Sequence, residues 1–178
     1  METIFGPTIE AMKSEGRTFK GCLYFGLMLT PNGPKVIEYN CRFGDPETQV
    51  VLPLLETDLL EIMMAVEDNN LTEDMVKFSD KSACCVVMAS NGYPVKYESG
   101  FKITVDGDFD DNLYIAGAKL NGDDVVTAGG RVLGVVAVEN DLVSAIEKSY
   151  SSVKKVHFDN AFYRNDIGAK ALKVLKEG

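Results

Sequence analysis

The sequence predicts an α+β chain in two parts. A β-hairpin flanked by helices occupies residues 1–79, and a small mixed β-sheet with helices occupies 80–178. Three observations carry this. Two runs rich in β-branched and aromatic residues flank Thr30-Pro31-Asn32-Gly33-Pro34, a strong turn signal. A polar stretch from Asn70 to Lys81 separates the halves. Beyond it short apolar runs alternate with turn residues, and an amphipathic helix follows from Asp141 to Val153.

In order, Ile4 to Ser14 places Ile4, Phe5, Ile9 and Met12 near helical spacing, and Gly16 stops that helix. A helix so close to Met1 suggests a chain cut from something longer. Gly21 to Leu29 is the first hairpin strand. The second strand bears Val36-Ile37-Glu38-Tyr39-Asn40-Cys41-Arg42-Phe43. Side chains alternate along a strand, which sets Glu38, Asn40 and Arg42 on one face and Ile37, Tyr39, Cys41 and Phe43 on a face able to enter a core. An acid and an amide oxygen two residues apart suit a hard cation such as Mg²⁺. The guanidinium beside them suits a phosphate oxygen. A salt-bridged stripe on a solvated face has the same spacing. The turn Gly44-Asp45-Pro46 adds Asp45, and Glu47 follows. If Met28 lies opposite Glu38, Gly26 lies opposite Asn40.

Glu47 to Val66 is apolar and helical, broken at Pro53. Asp58 and Glu61 have capping-box spacing for a helix to about Glu67, with Leu59, Leu60, Met63 and Met64 on its buried face. In the second part, strands are expected at Ala83–Ala89, Phe101–Val105, Leu113–Ala118, Asp124–Thr127 and Arg131–Val138. The acidic run Asp106 to Asp111 lacks a calcium-loop pattern and reads as a solvated loop. Leu142, Ala145, Ile146 and Tyr150 form the inner face of the 141–153 helix, and a last helix follows Asp166. Gly129-Gly130-Arg131 reads as a tight turn into a strand, or as backbone amides and a guanidinium for a phosphate; the turn is favoured.

The formal net charge of -9, with no Lys/Arg cluster, excludes a nucleic-acid surface. The apolar runs are too short for a bilayer span, and residues 1–5 carry no signal peptide. Cys22, Cys41, Cys84 and Cys85 lack metal-ligand spacing. Cys84 and Cys85 read as reduced core thiols, which points to the cytoplasm. His157 has no Cys partner nearby and reads as structural.

The run Glu38-Tyr39-Asn40-Cys41-Arg42-Phe43-Gly44-Asp45-Pro46-Glu47-Thr48-Gln49 resembles the signature of the phosphoribosylamine–glycine ligase family, in the ATP-grasp superfamily. Further stretches resemble the family's C-terminal domain: Met88 to Pro94, Gly129 to Val135 and Tyr163 to Gly168. The resemblance implies that residues 1–79 are the C-terminal part of an ATP-grasp domain and 80–178 the C-terminal domain of the ligase. It implies that Glu38 and Asn40 hold Mg²⁺ or Mn²⁺ on ATP, that Arg42 steadies the transferring phosphoryl group, and that Met28 packs against adenine. Asp45 and Glu47 would orient an amine, of glycine or of 5-phosphoribosylamine. Many ATP-grasp proteins carry another acidic ligand on the earlier strand, where this chain has Gly26. The family enzyme is much longer, so a missing N-terminal part is an implied partner. Two function readings follow. One is the C-terminal part of a ligase in purine biosynthesis, inactive alone. The other is a stand-alone binding module that lost catalysis.

Overall fold

The computed structural model describes residues 3–177. Met1, Glu2 and Gly178 lie outside them, and so does the part of the N-terminal reading that rests on the first two. The chain forms two compact units. One takes the chain through Asp45 together with Leu55–Phe78. The other takes Pro46–Leu54 together with Ser79 onward.

The first unit opens with helix α1 (Phe5–Ser14). Strands β1 (Tyr24–Thr30) and β2 (Gly33–Asn40) form the expected antiparallel hairpin around Pro31-Asn32. Thr30 Oγ1 locks the turn, donating to the Gly33 carbonyl at 2.7 Å and accepting from the Asn32 amide at 3.2 Å. An aromatic ladder ties helix to hairpin. The Phe5 ring lies 4.3 Å from Phe25, which meets Tyr39 edge-on at 5.2 Å. Helix α3 (Leu59–Glu67) begins at Asp58, whose carboxylate accepts from the Leu60 amide at 2.7 Å. Lys20 Nζ donates to the Glu67 carbonyl at 2.8 Å, a cation at the negative end of that helix.

Two expectations for this unit are corrected. In α3 the inward stripe is Leu59, Ile62, Ala65 and Val66, and Leu60, Met63 and Met64 are exposed. The helix is apolar nearly all round, so periodicity alone does not choose the buried stripe; the tertiary neighbours do. In β2 the face expected to enter a core stays open. Ile37 is 63% exposed and Tyr39 50%, because a two-stranded ribbon offers little to cover it. The strand also ends at Asn40, and Cys41 and Arg42 form a bend.

The second unit starts with one turn of helix, α2 (Thr48–Val51), running into a 3-10 turn at Leu52–Leu54, where Pro53 removes an amide donor. Its sheet is built on β3 (Ser82–Ser90) and β8 (Arg131–Glu139), paired antiparallel from Ser82↔Glu139 to Ala89↔Arg131. Strand β5 (Asn112–Ile115) pairs with the other edge of β8, and β10 (Ala161–Phe162) with the other edge of β3, giving the order β10-β3-β8-β5. Val132 to Ala137 of β8 are all buried, the pattern of a central strand covered on both faces. Two side ribbons complete the unit: β4 (Thr104–Val105) with β9 (Val156–His157), and β6 (Ala118–Asn121) with β7 (Asp124–Thr127).

Helix α4 (Leu142–Val153) lies over β3 and β8. Asp141 caps it, accepting from the Ser144 amide at 2.9 Å and its hydroxyl at 2.7 Å. Ala145, Ile146 and Val153 bury against Val86, Met88, Val132 and Val135, with Leu142 and Tyr150 partly covered beside them. The expected last helix is α5 (Ala169–Glu177). The Phe101–Val105 run is shorter as a strand than its pattern suggests. Phe101 and Ile103 still reach the core, Lys102 makes an isolated antiparallel bridge to Val126, and Thr104 and Val105 form the short strand. Leu113–Ala118 splits into the end of β5 and the start of β6.

Candidate cation and phosphoryl site on the hairpin

Two of the candidate residues stand together. On β2 the Asn40 side-chain amide donates to Glu38 Oε1 at 3.1 Å, so both heads occupy one face of the ribbon. Glu38 is exposed and Asn40 half-buried. The donor chemistry fits a hard divalent cation: Glu38 Oε2 and Asn40 Oδ1 supply oxygens. Among the described residues no three His, Cys, Asp or Glu side chains form a metal cage. A pair of protein oxygens with the shell completed by phosphates and water is the usual arrangement for Mg²⁺.

Arg42 lies just past the strand end, exposed, and its Nη1 donates to the Phe43 carbonyl at 2.7 Å. A guanidinium has five N–H donors, so this bond anchors the fork without using it up. Asp45 is exposed at the end of the first unit, and Glu47 is half-buried at the start of α2 in the second unit. The Glu47 carbonyl accepts from the amides of Val50 and Val51 at 3.1 and 2.9 Å.

The hairpin register differs from the expected one. Gly26 pairs with Glu38, Tyr24 with Asn40, and Met28 with Lys35. Between Gly26 and Leu27 the register shifts, because Leu27 pairs with Val36 and leaves Ile37 as an extra residue on β2. Met28 is thus displaced along the ribbon from Glu38, and it is 54% exposed. A one-residue bulge leaves no mark on a hydrophobic pattern this short.

A separate apolar cavity of about 630 Å³ lies in the same unit, lined by Ile4, Pro7 and Met12 from the α1 region, by Tyr39 of β2, and by Leu23 and Cys41 just outside the hairpin strands. Tyr39 alternates with Glu38 and Asn40 along the strand, so this cavity opens away from the oxygen pair.

The second unit holds the other motifs. Gly129 and Gly130 form the turn leading into β8, as favoured. Their carbonyls accept from the Ser90 hydroxyl at 3.1 Å and the Ser90 amide at 2.8 Å. His157 is structural. Its Nε2 lies 2.6 Å from Asp106 Oδ2, bracing β9 against the loop after β4. The acidic loop is less solvated than expected at one end, where Asp111 accepts from the Ser152 hydroxyl of α4 and lies 4.0 Å from Lys148 Nζ. Sequence reasoning missed this, since the partners are 41 residues apart.

Known proteins are similar to this chain in sequence and fold. Residues 1–48 match the family described as phosphoribosylglycinamide synthetase, ATP-grasp (A) domain, and residues 83–170 match its C domain. The chain is 46% identical over 169 residues to the phosphoribosylamine–glycine ligase of Caldanaerobacter subterraneus, covering 94% of this chain and 40% of that one. It is 44% identical over 180 residues to the trifunctional purine biosynthetic protein adenosine-3 of Gallus gallus, covering 99% of this chain and 18% of that one. The crystal structure of the phosphoribosylamine–glycine ligase of Thermotoga maritima superposes with a TM-score of 0.83 at 34% identity, over 93% of this chain and 41% of that one. The biotin carboxylase domain of the Hydrogenobacter thermophilus 2-oxoglutarate carboxylase, at 14% identity over 91% of this chain and 36% of that one, shares the fold with a TM-score of 0.59. The chain thus spans well under half the length of these relatives.

Proposed function

Because the chain belongs to the phosphoribosylglycinamide synthetase family, we propose that it is the C-terminal portion of an ATP-dependent ligase. That ligase joins glycine to 5-phosphoribosylamine in purine biosynthesis, in the cytoplasm. The observation that carries this reading is the Glu38–Asn40 pair, two side chains with hard oxygen donors on one strand face, joined by the Asn40 amide donating to Glu38 Oε1 at 3.1 Å and followed closely by Arg42. The partner is the N-terminal part of the same enzyme, which supplies the other side of the nucleotide site.

In this reading the glycine carboxylate attacks the γ-phosphorus of ATP. ADP leaves and glycyl phosphate forms. The amine nitrogen of phosphoribosylamine then attacks the glycyl carbonyl carbon, loses a proton and expels phosphate, giving glycinamide ribonucleotide. Chemistry of this kind is mostly positioning and charge neutralisation. Glu38 and Asn40 would hold Mg²⁺ or Mn²⁺, which neutralises the β- and γ-phosphate oxygens when bound. Arg42, its fork oriented by the Phe43 carbonyl, donates to the transferring phosphoryl and the acyl-phosphate oxygens. Asp45 and Glu47 orient an amine, and Met28 contributes apolar surface toward the base.

The test is Glu38→Gln in the full-length ligase. The Mg²⁺ concentration for half-maximal rate should rise by about tenfold or more, the scale of disturbing a metal ligand set. An unchanged Mg²⁺ titration removes Glu38 from the site.

A further inference from the structure

Gly26 sits directly across the ribbon from Glu38. Directly opposed residues share a face, with Cβ atoms about 4.5–5.5 Å apart, so a side chain at 26 competes for volume with Glu38 in the rotamer it holds here. Glu38 uses that volume. A methyl group placed on Gly26 would lie 2.8 Å from Glu38 Cγ, and its three nearest neighbours, at 2.8, 3.6 and 3.6 Å, all belong to Glu38. The backbone at 26 is outside the left-handed region, so it accepts an L side chain without strain. What a side chain at 26 would meet is the glutamate itself, folded over the bare glycine with its carboxylate turned to Asn40.

We propose that Gly26 is a positioning residue for the cation site. By leaving the cross-strand position empty, it fixes the Glu38 rotamer that brings a carboxylate oxygen to the Asn40 amide. This rests on reading Glu38 and Asn40 as cation ligands. It assigns the third position of the site to a residue whose contribution is space. An alanine at 26 pushes the Glu38 stem off the ribbon, breaks the Glu38–Asn40 bond and separates the two oxygen ligands, while the strands stay paired.

The experiment compares the 178-residue chain with Gly26→Ala, Glu38→Ala and the double variant by ¹⁵N-edited NMR, Mn²⁺ titration and thermal unfolding. The Asn40 side-chain NH₂ signals report the bond to Glu38 without any metal. Paramagnetic broadening of the amides of residues 38–40 by Mn²⁺ reports the cation even when binding is weak. In Gly26→Ala the Asn40 NH₂ signals should move to their Glu38→Ala positions. Half-broadening should need about tenfold more Mn²⁺, the lower end of losses when a ligand's support is removed. In the Glu38→Ala background, adding alanine at 26 should change neither the Asn40 signals nor the thermal midpoint. A lowered midpoint there means that alanine damages the strand itself, and the proposal is overturned. If Gly26→Ala keeps wild-type Asn40 signals and Mn²⁺ broadening while Glu38→Ala loses both, the positioning role falls and the cation reading stands. If wild type shows no broadening at 38–40, or Glu38→Ala broadens equally, the cation reading falls and the proposal with it.

Discussion

The Ser149 hydroxyl donates to the Cys84 carbonyl at 2.7 Å and accepts from the Ala137 amide at 3.2 Å. Cys84 and Ala137 are register partners on β3 and β8, so one fully buried hydroxyl from α4 bridges the two central strands. Ser149→Ala strands a buried donor and a buried acceptor at once. At about 1–3 kcal/mol for a buried group left unpaired, the variant should lose about 2 kcal/mol of stability, read from the urea midpoint at unchanged slope. Ser149→Thr keeps the hydroxyl but adds a methyl to a full core, and should recover only part of the loss.

The cysteines should separate by reactivity. Burial pushes the Cys84 thiol up, with the Ser149 hydroxyl partly opposing it, and partial burial pushes Cys22 up. Cys41 is exposed. Iodoacetamide at neutral pH should alkylate Cys41 first and reach Cys84 only after denaturant is added, as followed by peptide mass spectrometry. Modification of Cys84 in the native protein at the rate of Cys41 would contradict the packing of β3.

Asp141 should make α4 acid-sensitive. The Ser144 amide, its hydroxyl and a weaker contribution from the Val143 amide hold its carboxyl below the ordinary value of 3.8. A lowered folded-state pKa means the stabilisation is complete above the unfolded value and is lost as pH falls through the folded one. The midpoint advantage of wild type over Asp141→Ala should be constant from pH 7 to about 5 and shrink below about 4. An advantage that stays flat down to pH 2 would mean the cap acts without its charge.

Arg42 is tested by Arg42→Lys in the full-length ligase. Lysine keeps a charge but loses the planar fork. If Arg42 acts on the transferring phosphoryl group, kcat should fall about 10²-fold, the scale of losing one preorganised donor, with KM for ATP moving less. A near-normal kcat with a lowered thermal midpoint would make Arg42 structural, its bond to the Phe43 carbonyl being its whole purpose.

What the sequence made legible was local. Asp141 before a 3.6-residue apolar stripe located α4 within a residue, and Pro31-Asn32 between β-rich runs located the hairpin. The Glu38–Asn40 pairing on one face followed from strand alternation alone. What stayed hidden depended on partners distant in sequence. The register of β1 on β2 turned on the bulge at Ile37, which shifts Met28 to Lys35. The buried stripe of α3 depended on neighbours, because Leu60, Met63 and Met64 are as apolar as the residues that won the interior. Asp106 and His157 meet across 51 residues, and no short-range pattern marks such a pair.

The empty position opposite Glu38 has a consequence in the genetic code. Every single-base change that replaces a glycine codon with another amino acid installs a Cβ, alanine being the smallest. Apart from synonymous changes, codon 26 therefore has no neighbour that leaves the glutamate folded across the ribbon undisturbed, since even that smallest step meets Glu38 Cγ at 2.8 Å. A side chain at 26 therefore comes with another Glu38 rotamer or another residue at 38, which couples the two codons.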